Sequence, residues 1–536
     1  MFILLNTLWF AWMLKYVLFW LYLWQLKEYH IGRFIDHFRT HKGKKLLFSF
    51  AQILKLVLLI FLLADNNSFA FVFSVLTIVY FIELLFFARS IFNRSFKKPV
   101  WTLKTVFLST VSFIFVILLL GWILNLKDEA KLEGLLIFDI LAPLIVSAIV
   151  LLLQPIFVTV RNNTLRQAQD KLEKIRELSG LKVVAITGSY GKTSTKEFLI
   201  KILSKKFRVL STKEHQNAEI GIANCILNDL KPSHQIFIAE VAAYDKGKVK
   251  EVCGILKPEI GIVTGVNEQH LAVFGSLKNL LLGEGGGELA EVLEKNGTLI
   301  VNGDNKYCRD LYKRSNGNKK IYSLGNKTIN SDLWSDSVTV HRDYISFLAI
   351  NKSGELAHFD ARVLGKHNVQ NLLAAILTAN ELGMSFEEIS NACKSILPEQ
   401  SGMALRQGKH GINIIDSSYS ANPDGVFADL DYLSIFLGKK VVVMPCLIEL
   451  GDASSIIHEK IGRKIGEVCD LAIITTKDKF KEIKQGFDET KKESAKILLC
   501  DNPSDIYSAI TLFCKSGDAV LLEGRVPAGL INLLLE

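Results

Sequence analysis

The hydrophobic and polar positions divide the chain into two parts with different patterns. Within residues 1–160, apolar runs of roughly 20 residues with few charges follow one another, and each is long enough to cross a bilayer as a helix. From about Arg161 onward, apolar residues alternate with charged ones at helix or strand spacing. The pattern predicts a membrane part, residues 1–160, followed by a soluble enzyme.

The membrane part is predicted to contain about five spans and to leave the soluble part in the cytoplasm. The loop between the first two spans and the loop between the third and fourth are rich in Lys and Arg, whereas the other two loops are neutral or nearly balanced. Because Lys and Arg accumulate on the cytoplasmic side, the N-terminus is expected outside. The first run lacks a basic leader and a cleavage site, so we expect it to be retained. The predicted spans are 3–24, 46–64, 69–92, 105–124 and 135–160.

The soluble part is predicted to form a linker helix and two α/β domains. Apolar residues at helical spacing indicate an amphipathic helix within the linker 161–180, ended by Gly180. A buried strand at 182–186 and a helix at 192–203 open a doubly wound domain. A second, smaller parallel-sheet domain begins near residue 412. Further strands are predicted at 235–241, 260–264, 298–302, 412–416, 440–444, 471–475, 497–500 and 519–523.

Composition excludes several classes of function. The 536 residues are 49% hydrophobic with a net charge of +9, but much of the basic excess lies in the membrane loops, so we do not expect nucleic-acid binding. All eight cysteines lie at or beyond Cys225 without a CxxC pair, which is typical of reduced thiols in a cytosolic domain.

A glycine-containing loop between the first strand and its helix predicts a nucleoside triphosphate site. Backbone amides of such a loop point at phosphate oxygens, the helix N-terminus adds positive potential, a lysine reaches the outer phosphates, and a threonine hydroxyl can hold Mg²⁺. The generic pattern wants glycine at position 186, where this chain has Ile186. The residues expected to bind nucleotide are Gly188, Ser189, Tyr190, Gly191, Lys192, Thr193 and Ser194.

The loop and five later segments together resemble the Mur ligase family. TGSYGKTSTKE at 187–197 is most similar to the MurF type, the UDP-N-acetylmuramoyl-tripeptide D-alanyl-D-alanine ligases. The later segments follow in the family's order: NAEIG at 217–221, AEV at 239–241, KPEIGIVTGVNEQHLAVFG at 257–275, GKHN at 365–368, and IDSSYSANP at 415–423 with ELG at 449–451.

The resemblance implies an ATP-dependent ligase with a P-loop-type central domain, 181–400, and a Rossmann-like C-terminal domain, 401–536. In this family the ATP γ-phosphate activates a carboxylate, and an amine then attacks the acyl phosphate to form an amide. Lys192, Glu240 and His270 are the expected catalytic residues. Thr193 and Glu240 would hold one Mg²⁺, and His270 would help to hold a second. Asn368 and Asp416 would contact the nucleotide.

Departures from the family affect the second metal and the substrate. Many members carry a carbamylated lysine after the histidine, but no lysine lies between Lys278 and Lys295 here, so Glu284 or Glu288 could supply the carboxylate. Arg406 could replace the arginine of a family Gly-Arg pair. The residues expected to contact substrate are Asn217, Arg406, Tyr419, Asn422 and Glu449.

The largest departure is that the membrane part stands where MurF enzymes carry a soluble domain that grips the UDP-linked substrate. One interpretation is addition of D-alanyl-D-alanine, or a similar amine, to a muramoyl-peptide carboxylate in peptidoglycan precursor synthesis, with the helices anchored in the bacterial cytoplasmic membrane or docked on other wall-synthesis proteins. A second is a lipid-linked acceptor or a capsule-type amino-acid polymer. A third is a non-catalytic membrane scaffold.

Overall fold

The computed structural model describes residues 2–64, 68–93, 96–213, 216–242, 245–293, 297–325, 330–398, 402–418 and 421–535. The chain divides into two compact units, Met1–Asn162 and Asn163–Glu536. Each unit is built from a different class of element.

The first unit is helical. Among its described residues, five helical stretches are long and apolar enough to cross a membrane, as the sequence predicts. The second of these stretches is Gly43–Ala64, which contains the end of a short helix and all of a longer one, and the fifth is divided at Leu153. Its helices are α1 (Phe2–Leu26), α2 (Ile31–His37), α3 (His41–Leu47), α4 (Phe50–Ala64), α5 (Phe69–Phe92), α6 (Leu103–Leu124) and α7 (Asp128–Leu152), and α8 (Gln154–Ser179) continues into the second unit.

The core of the helical unit is centred on α1, which packs against α5, α6 and α7. Its buried residues recur at helical spacing on one half of the helix, and several are large aromatics such as Trp9, Trp20 and Trp24. The amphipathic face predicted after this unit is also present, since Leu165, Ala168, Leu172 and Ile175 of α8 are buried in the second unit.

The second unit begins with the middle domain. Its elements are β1 (Lys182–Thr187), α9 (Lys192–Leu203), β2 (Val209–Ser211), α10 (Glu219–Asp229), β3 (Ile236–Glu240), α11 (Lys248–Leu256), β4 (Ile260–Val263), α12 (Leu271–Phe274), α13 (Leu277–Leu282), α14 (Gly287–Leu293), β5 (Thr298–Asn302), α15 (Lys306–Arg314), β6 (Asn318–Ser323), β7 (Leu333–Val340), β8 (Ile345–Asn351), β9 (Leu356–Ala361), α16 (His367–Glu381) and α17 (Phe386–Cys393).

A nine-stranded sheet in the order β2-β3-β1-β4-β5-β6-β7-β8-β9 organises this domain. Strands β2 to β7 pair in parallel, and β7, β8 and β9 pair antiparallel. The register places Ile186 opposite both Glu240 and Ile262. The carboxyl ends of β1, β3 and β4 therefore lie at one edge of the sheet, where ligands bind in open α/β folds.

The C-terminal domain contains a six-stranded sheet in the order β10-β11-β15-β12-β13-β14, in which only the edge strand β10 is antiparallel. Two α/β domains are thus confirmed. Its elements are β10 (Ala404–Gln407), β11 (Asn413–Ser417), α18 (Pro423–Ser434), β12 (Lys440–Met444), α19 (Ser454–Val468), β13 (Leu471–Ile474), α20 (Phe480–Thr490), β14 (Lys496–Leu499), α21 (Pro503–Phe513), β15 (Ala519–Glu523) and α22 (Leu530–Leu535), with 3₁₀ turns at Lys409–Gly411 and Gly451–Ala453.

Candidate active site

The loop after β1 turns sharply into α9, and its two glycines cannot be replaced without a clash. Gly188 and Gly191 have φ values of +139° and +74°. A Cβ atom on Gly191 would lie 2.5 Å from Asn371 Oδ1, and one on Gly188 would lie 2.3 Å from Thr264 Oγ1. Lys192, the first residue of α9, folds back and donates to the carbonyl of Gly188. The backbone amides of the loop, the N-terminus of α9 and the ammonium of Lys192 therefore lie close together. This arrangement is typical of a phosphate-binding site.

Glu240, at the end of β3, forms one polar cluster beside the loop. Thr193 Oγ1 lies 3.1 Å from both carboxylate oxygens, and Asn217 Nδ2 donates to Oε1 over 3.1 Å. Lys196 Nζ lies 3.3 Å from Glu240 Oε2 and 3.4 Å from Glu197 Oε1, and its side chain is fully buried. The cluster joins two oxygen ligands that suit Mg²⁺, from Thr193 and Glu240, to a buried cation that balances the carboxylate.

Glu284 forms a second cluster on the other side of the loop. Ser189 Oγ donates to Glu284 Oε2 over 3.1 Å, and His270 Nδ1 lies 2.9 Å from Glu284 Oε1. The other ring nitrogen of His270 lies 3.8 Å from Glu449 Oε2. Burial raises the pKa of Glu284, but the charges of His270 and Lys192 and the hydrogen bonds from His270 and Ser189 outweigh burial and leave this pKa below its usual range. The carboxylate is thus held in its charged form.

Glu288 has a different environment from Glu284. Its carboxylate accepts hydrogen bonds from the backbone N–H groups of Gly247 and Lys250, over 2.6 and 2.9 Å, at the start of α11. Such bonds satisfy N–H groups that have no partner within the helix. Of the two carboxylates that the sequence offered for the second metal, only Glu284 contacts the phosphate loop and His270.

The two clusters lie beside a cleft between the middle and C-terminal domains. The cleft has a volume of about 850 Å³, a size typical of small-molecule sites. Its walls include residues 189–194 and His367 from the middle domain and Arg406, Asp416 and Asn422 from the C-terminal domain. Thr193 lies on this wall, so a ligand in the cleft can reach the Glu240 cluster.

Hydrogen bonds connect the two domains next to the Glu284 cluster. Asn267 Nδ2 donates to Asn422 Oδ1 and Asp424 Oδ2, over 3.0 and 2.7 Å. Burial raises the pKa of Asp424, against the hydrogen bond from Asn267. The backbone N–H of Ala272 donates to the carbonyl of Glu449 over 3.0 Å, and Glu449 has a φ of +67°. The segment that carries His270 is therefore fixed against the C-terminal domain.

The residues expected to contact the nucleotide base and the substrate differ in their burial and in their hydrogen-bond partners. Asn368 is buried, donates to the carbonyl of Leu364 over 2.8 Å and accepts from Asn371 over 2.9 Å. Asp416 accepts from Ser418 Oγ over 2.6 Å and lies 3.7 Å from Arg406. Tyr419 lies outside the described residues.

Comparison with known proteins assigns both domains. Residues 186–379 match the model of the Mur ligase middle domain, and residues 403–526 match that of the Mur ligase, glutamate ligase domain. The two matches cover more than half of the chain. The chain belongs to the Mur ligase family. Its middle and C-terminal domains are those of an ATP-dependent ligase.

The relatives of this Mur ligase include UDP-N-acetylmuramoyl-tripeptide–D-alanyl-D-alanine ligases. The enzyme of Synechocystis sp. is 28% identical over 66% of this chain and 74% of its own length. That of Bacillus subtilis is 26% identical over 57% and 64%. That of Escherichia coli is 27% identical over 54% and 63%. The match thus covers slightly less than two thirds of the last two relatives.

Solved MurF structures share the fold of this Mur ligase. MurF from Acinetobacter baumannii superimposes with a TM-score of 0.60 at 24% identity, over 68% of this chain and 78% of that one. MurF from Thermotoga maritima in complex with ADP gives a TM-score of 0.58 at 24% identity, over 68% and 80%. At this level of identity the likeness concerns the fold.

Three residues of the site were not predicted from the sequence of this Mur ligase. Lys196 follows Thr193 by three residues, a spacing that puts both on one face of α9, and this periodicity could have identified it. Asn267 lies within the segment 257–275, which also contains His270. The sequence shows this position, but it does not predict the hydrogen bonds that Asn267 makes to the C-terminal domain. Nothing in the sequence pointed to Asp424, because its hydrogen-bond partner Asn267 is distant in sequence.

Proposed function

We propose that the chain is an ATP-dependent amide-bond-forming ligase of peptidoglycan precursor synthesis. It would add D-alanyl-D-alanine, or a similar amine, to a muramoyl-peptide carboxylate through an acyl phosphate, as its relatives' names suggest. The observation that carries the proposal is the phosphate loop with Lys192 and Thr193 on the wall of an interdomain cleft. Activation by phosphorylation requires a cleft in which ATP and a carboxylate meet without water, more than a nucleophile from the protein.

Nucleotide binding at this cleft would use residues 188–194 for the phosphates. Asp416 is proposed to contact the base and ribose end of the nucleotide, and Asn368 is proposed to support that end indirectly. Asp416 lines the cleft directly. Asn368 is buried under Asn371, which does line it, and would act by holding Asn371 in place.

A first Mg²⁺ is proposed at Thr193 and Glu240. The donor set fits this ion, because both side chains offer hard oxygens and lie 3.1 Å apart, and Thr193 lines a cleft that leaves room for phosphate oxygens and water. Bound there, Mg²⁺ would neutralise charge on the transferred phosphoryl group. Asn217 would orient the carboxylate through Oε1, and Lys196 would balance its charge from beside Oε2.

A second metal is proposed at His270 and Glu284, with Glu449 completing the group from the C-terminal domain. Among the described residues no set of three His, Cys, Asp or Glu side chains is already gathered tightly enough to hold an ion. Phosphate and water oxygens would therefore complete the shell. Glu284, paired with both Ser189 and His270, would take the place of the carbamylated lysine of other family members.

The substrate residues are proposed to act around these metal positions. Asn422 is tied to Asn267 beside the His270 segment, and Glu449 lies next to His270 itself. Either could receive the acceptor or the amine. Arg406, half exposed on the cleft wall, is suited to a phosphate or carboxylate. Tyr419 is retained as a candidate from its sequence position alone.

We further propose that the five long helices span the bacterial cytoplasmic membrane with the N-terminus outside and the ligase domains in the cytoplasm, where ATP is available. Their length and apolar composition support this assignment. Residues 161–180 would link the helices to the ligase. The same helices favour a second candidate, a lipid-linked rather than a soluble UDP-linked acceptor, because a membrane anchor keeps an enzyme beside such a substrate.

Two measurements test the proposal. Membranes containing the protein are incubated with ATP, D-alanyl-D-alanine and either UDP-linked or lipid-linked muramoyl tripeptide, and the amide product is identified by mass. Glu240→Gln and His270→Ala should each reduce turnover at least about a hundredfold, roughly 2.7 kcal/mol, because each removes part of a metal shell. Absence of product with either acceptor, at saturating Mg²⁺, would contradict the ligase assignment.

Orientation is tested separately with reporters. A reporter fused before Met1 should be accessible from outside intact cells, and one fused after Glu536 should require permeabilised cells. The predicted external loop 65–68 is mostly outside the described residues, so a cysteine introduced there tests the sequence prediction directly. Labelling of the Lys44 to Lys45 region from outside would reverse the proposed topology.

A further inference from the structure

Four ionisable side chains meet inside the helical unit. They are Lys15 on α1, Lys55 on α4, Glu83 on α5 and Asp139 on α7. At 1.5 Å per residue, Lys15 and Glu83 lie about 20 Å from the Phe2 and Phe69 ends of their helices. If these helices span a membrane, both side chains lie at the same depth, close to its centre, where an unpaired charge is costly.

The inner half of this cluster is closed. Lys55 Nζ lies 2.8 Å from Glu83 Oε2 and 2.8 Å from Asp139 Oδ2. Tyr80 and Trp12 donate to the two oxygens of Asp139, over 2.8 and 3.4 Å. Both Lys55 and Asp139 are fully buried. These two groups satisfy one another, and no polar ligand can reach them.

The outer half is open. Lys15 is half-buried, and its Nζ lies over the rings of Trp12 and Phe87, at 4.3 and 5.5 Å from their centroids. Within the described part of the chain, no carboxylate forms an ion pair with this ammonium, although the charge of Glu83 in the same chain acts on it from farther away. The side chain of Glu83 is 13% exposed, although its carboxylate is paired with Lys55. The surface where α1 and α5 pack together thus presents a cation and an anion side by side.

The depth of these groups restricts what can cover them. The hydrocarbon core is about 30 Å thick, so lipid headgroups lie about 15 Å from its centre. A partner must therefore be another protein that brings polar groups to the same depth. A second copy does so automatically, because a two-fold axis along the membrane normal preserves the depth of every residue.

We infer that the chain forms a homodimer in the membrane through the surface shared by α1 and α5. Lys15 of each copy pairs with Glu83 of the other, so two reciprocal ion pairs form across the axis. This is the pattern of an isologous interface, in which residue i contacts j and j contacts i. The inference rests on the proposal that these helices span the membrane.

Co-capture of two differently tagged full-length copies tests the dimer. Both are expressed together, extracted from membranes in mild detergent, and one tag is captured while the other is quantified. Lys15→Met removes the charge but keeps a long apolar side chain. Lys131→Met is the matched control, because Lys131 already pairs with Asp128 at 2.9 Å within its own helix.

The reciprocal geometry predicts a graded result. Wild type should capture wild type, wild type with Lys15→Met should give an intermediate yield because one of two pairs remains, and Lys15→Met with itself should fall by at least about tenfold. Lys131→Met should behave as wild type. If wild type is monomeric, or if Lys15→Met captures itself as well as wild type does, the dimer is overturned.

A folding defect would not obscure the answer. If Lys15→Met is lost from the membrane fraction, Lys15→Arg and Lys15→Gln replace it, and capture should persist with Arg and fall with Gln; equal capture by the two overturns the pairing. Ligase activity and resistance to carbonate washing are measured on the same membranes. A washed, active but monomeric protein overturns the dimer alone, whereas release by carbonate overturns the membrane assignment on which it rests.

Discussion

Each unit of the protein buries one lysine between two carboxylates, but the two groups differ in what surrounds them. Lys196 in the ligase unit lies 3.3 and 3.4 Å from Glu240 and Glu197, and Lys55 in the helical unit lies 2.8 Å from Glu83 and from Asp139. Both lysines are fully buried. Glu240 also meets Thr193 on the wall of an open cleft, whereas Asp139 is enclosed by Tyr80 and Trp12.

The difference shows that the role of a buried ion pair depends on what surrounds it. Around Lys196, one face of the carboxylate is left for a ligand, so the charge is available for chemistry. Around Lys55, the charges face one another across three helices, and the fully buried pair of Lys55 and Asp139 can act only through packing. Removal of one partner should therefore impair activity in the first unit and stability in the second.

The largest effect is expected outside both groups, at the phosphate loop. Lys192→Ala should lower product formation by more than about a thousandfold, roughly 4 kcal/mol, because its ammonium lies within the phosphate loop itself, where it folds back on Gly188. The melting temperature should change little, since a lysine at a helix start contributes little to the core. Near-normal turnover of this variant, measured by product mass, would remove the basis for contrasting a catalytic unit with a structural one.

Lys55→Met should destabilise the helical unit by about 3–5 kcal/mol, because it leaves two buried carboxylates without a cation. The measurement is unfolding of the unit in detergent, followed by tryptophan fluorescence, since α1 carries several buried tryptophans. The triple variant Lys55→Met, Glu83→Gln, Asp139→Asn should recover most of the loss. A triple variant as unstable as the single one would show that the charges do more than balance each other.

Much of the fold and of the first cluster could be predicted from the sequence. The strands at 298–302, 440–444 and 519–523 have the observed bounds, because continuous apolar runs mark buried parallel strands. Strands β7 to β9 were not predicted. β7 reads LWSDSVTV and is partly exposed along its length, so its apolar periodicity is weak.

Contacts between distant segments could not be predicted. The sequence offered Glu284 and Glu288 as possible carboxylates for the second metal, and Glu284 was the expected ligand. Only the fold brings Glu284 to Ser189 and His270 and turns Glu288 towards α11. The charge cluster of the helical unit could not be predicted either. Glu83 is a carboxylate within an apolar run, but nothing in the sequence pairs it with Lys55 and Asp139.

Lys196→Met is the counterpart of Lys55→Met in the ligase unit. Glu240 would still accept hydrogen bonds from Thr193 and Asn217, so we expect a stability loss below that of Lys55→Met. Turnover should fall about tenfold, roughly 1.4 kcal/mol, because the carboxylate loses the cation that balances its charge and helps to position it. Calorimetry and Mg²⁺ titration of activity measure the two quantities. A larger loss of stability than of activity would place Lys196 with Lys55 as a packing residue.

The smallest effect concerns the pH dependence of Glu284. Its pKa in the folded protein is lowered, so its contribution to stability is complete above the unfolded value of about 4.3 and is lost as pH falls through the lower folded value. The stability difference between wild type and Glu284→Gln should therefore stay constant from about pH 8 to pH 5 and shrink only below about pH 4.

His270→Ala provides the control for this pH profile. Burial raises the pKa of Glu284 and the charge of His270 opposes it, so without the histidine the loss of stability should move to higher pH. Denaturant unfolding at a series of pH values, in the wild-type and in the His270→Ala background, measures both curves. If the stability difference between wild type and Glu284→Gln already declines between pH 7 and pH 5, the carboxylate is not held ionised. Glu284 would then resemble the enclosed charges around Lys55 rather than a group available to a metal. A shift towards higher pH in the His270→Ala background would instead establish that the histidine, and not the phosphate-loop lysine alone, maintains the negative charge at this position.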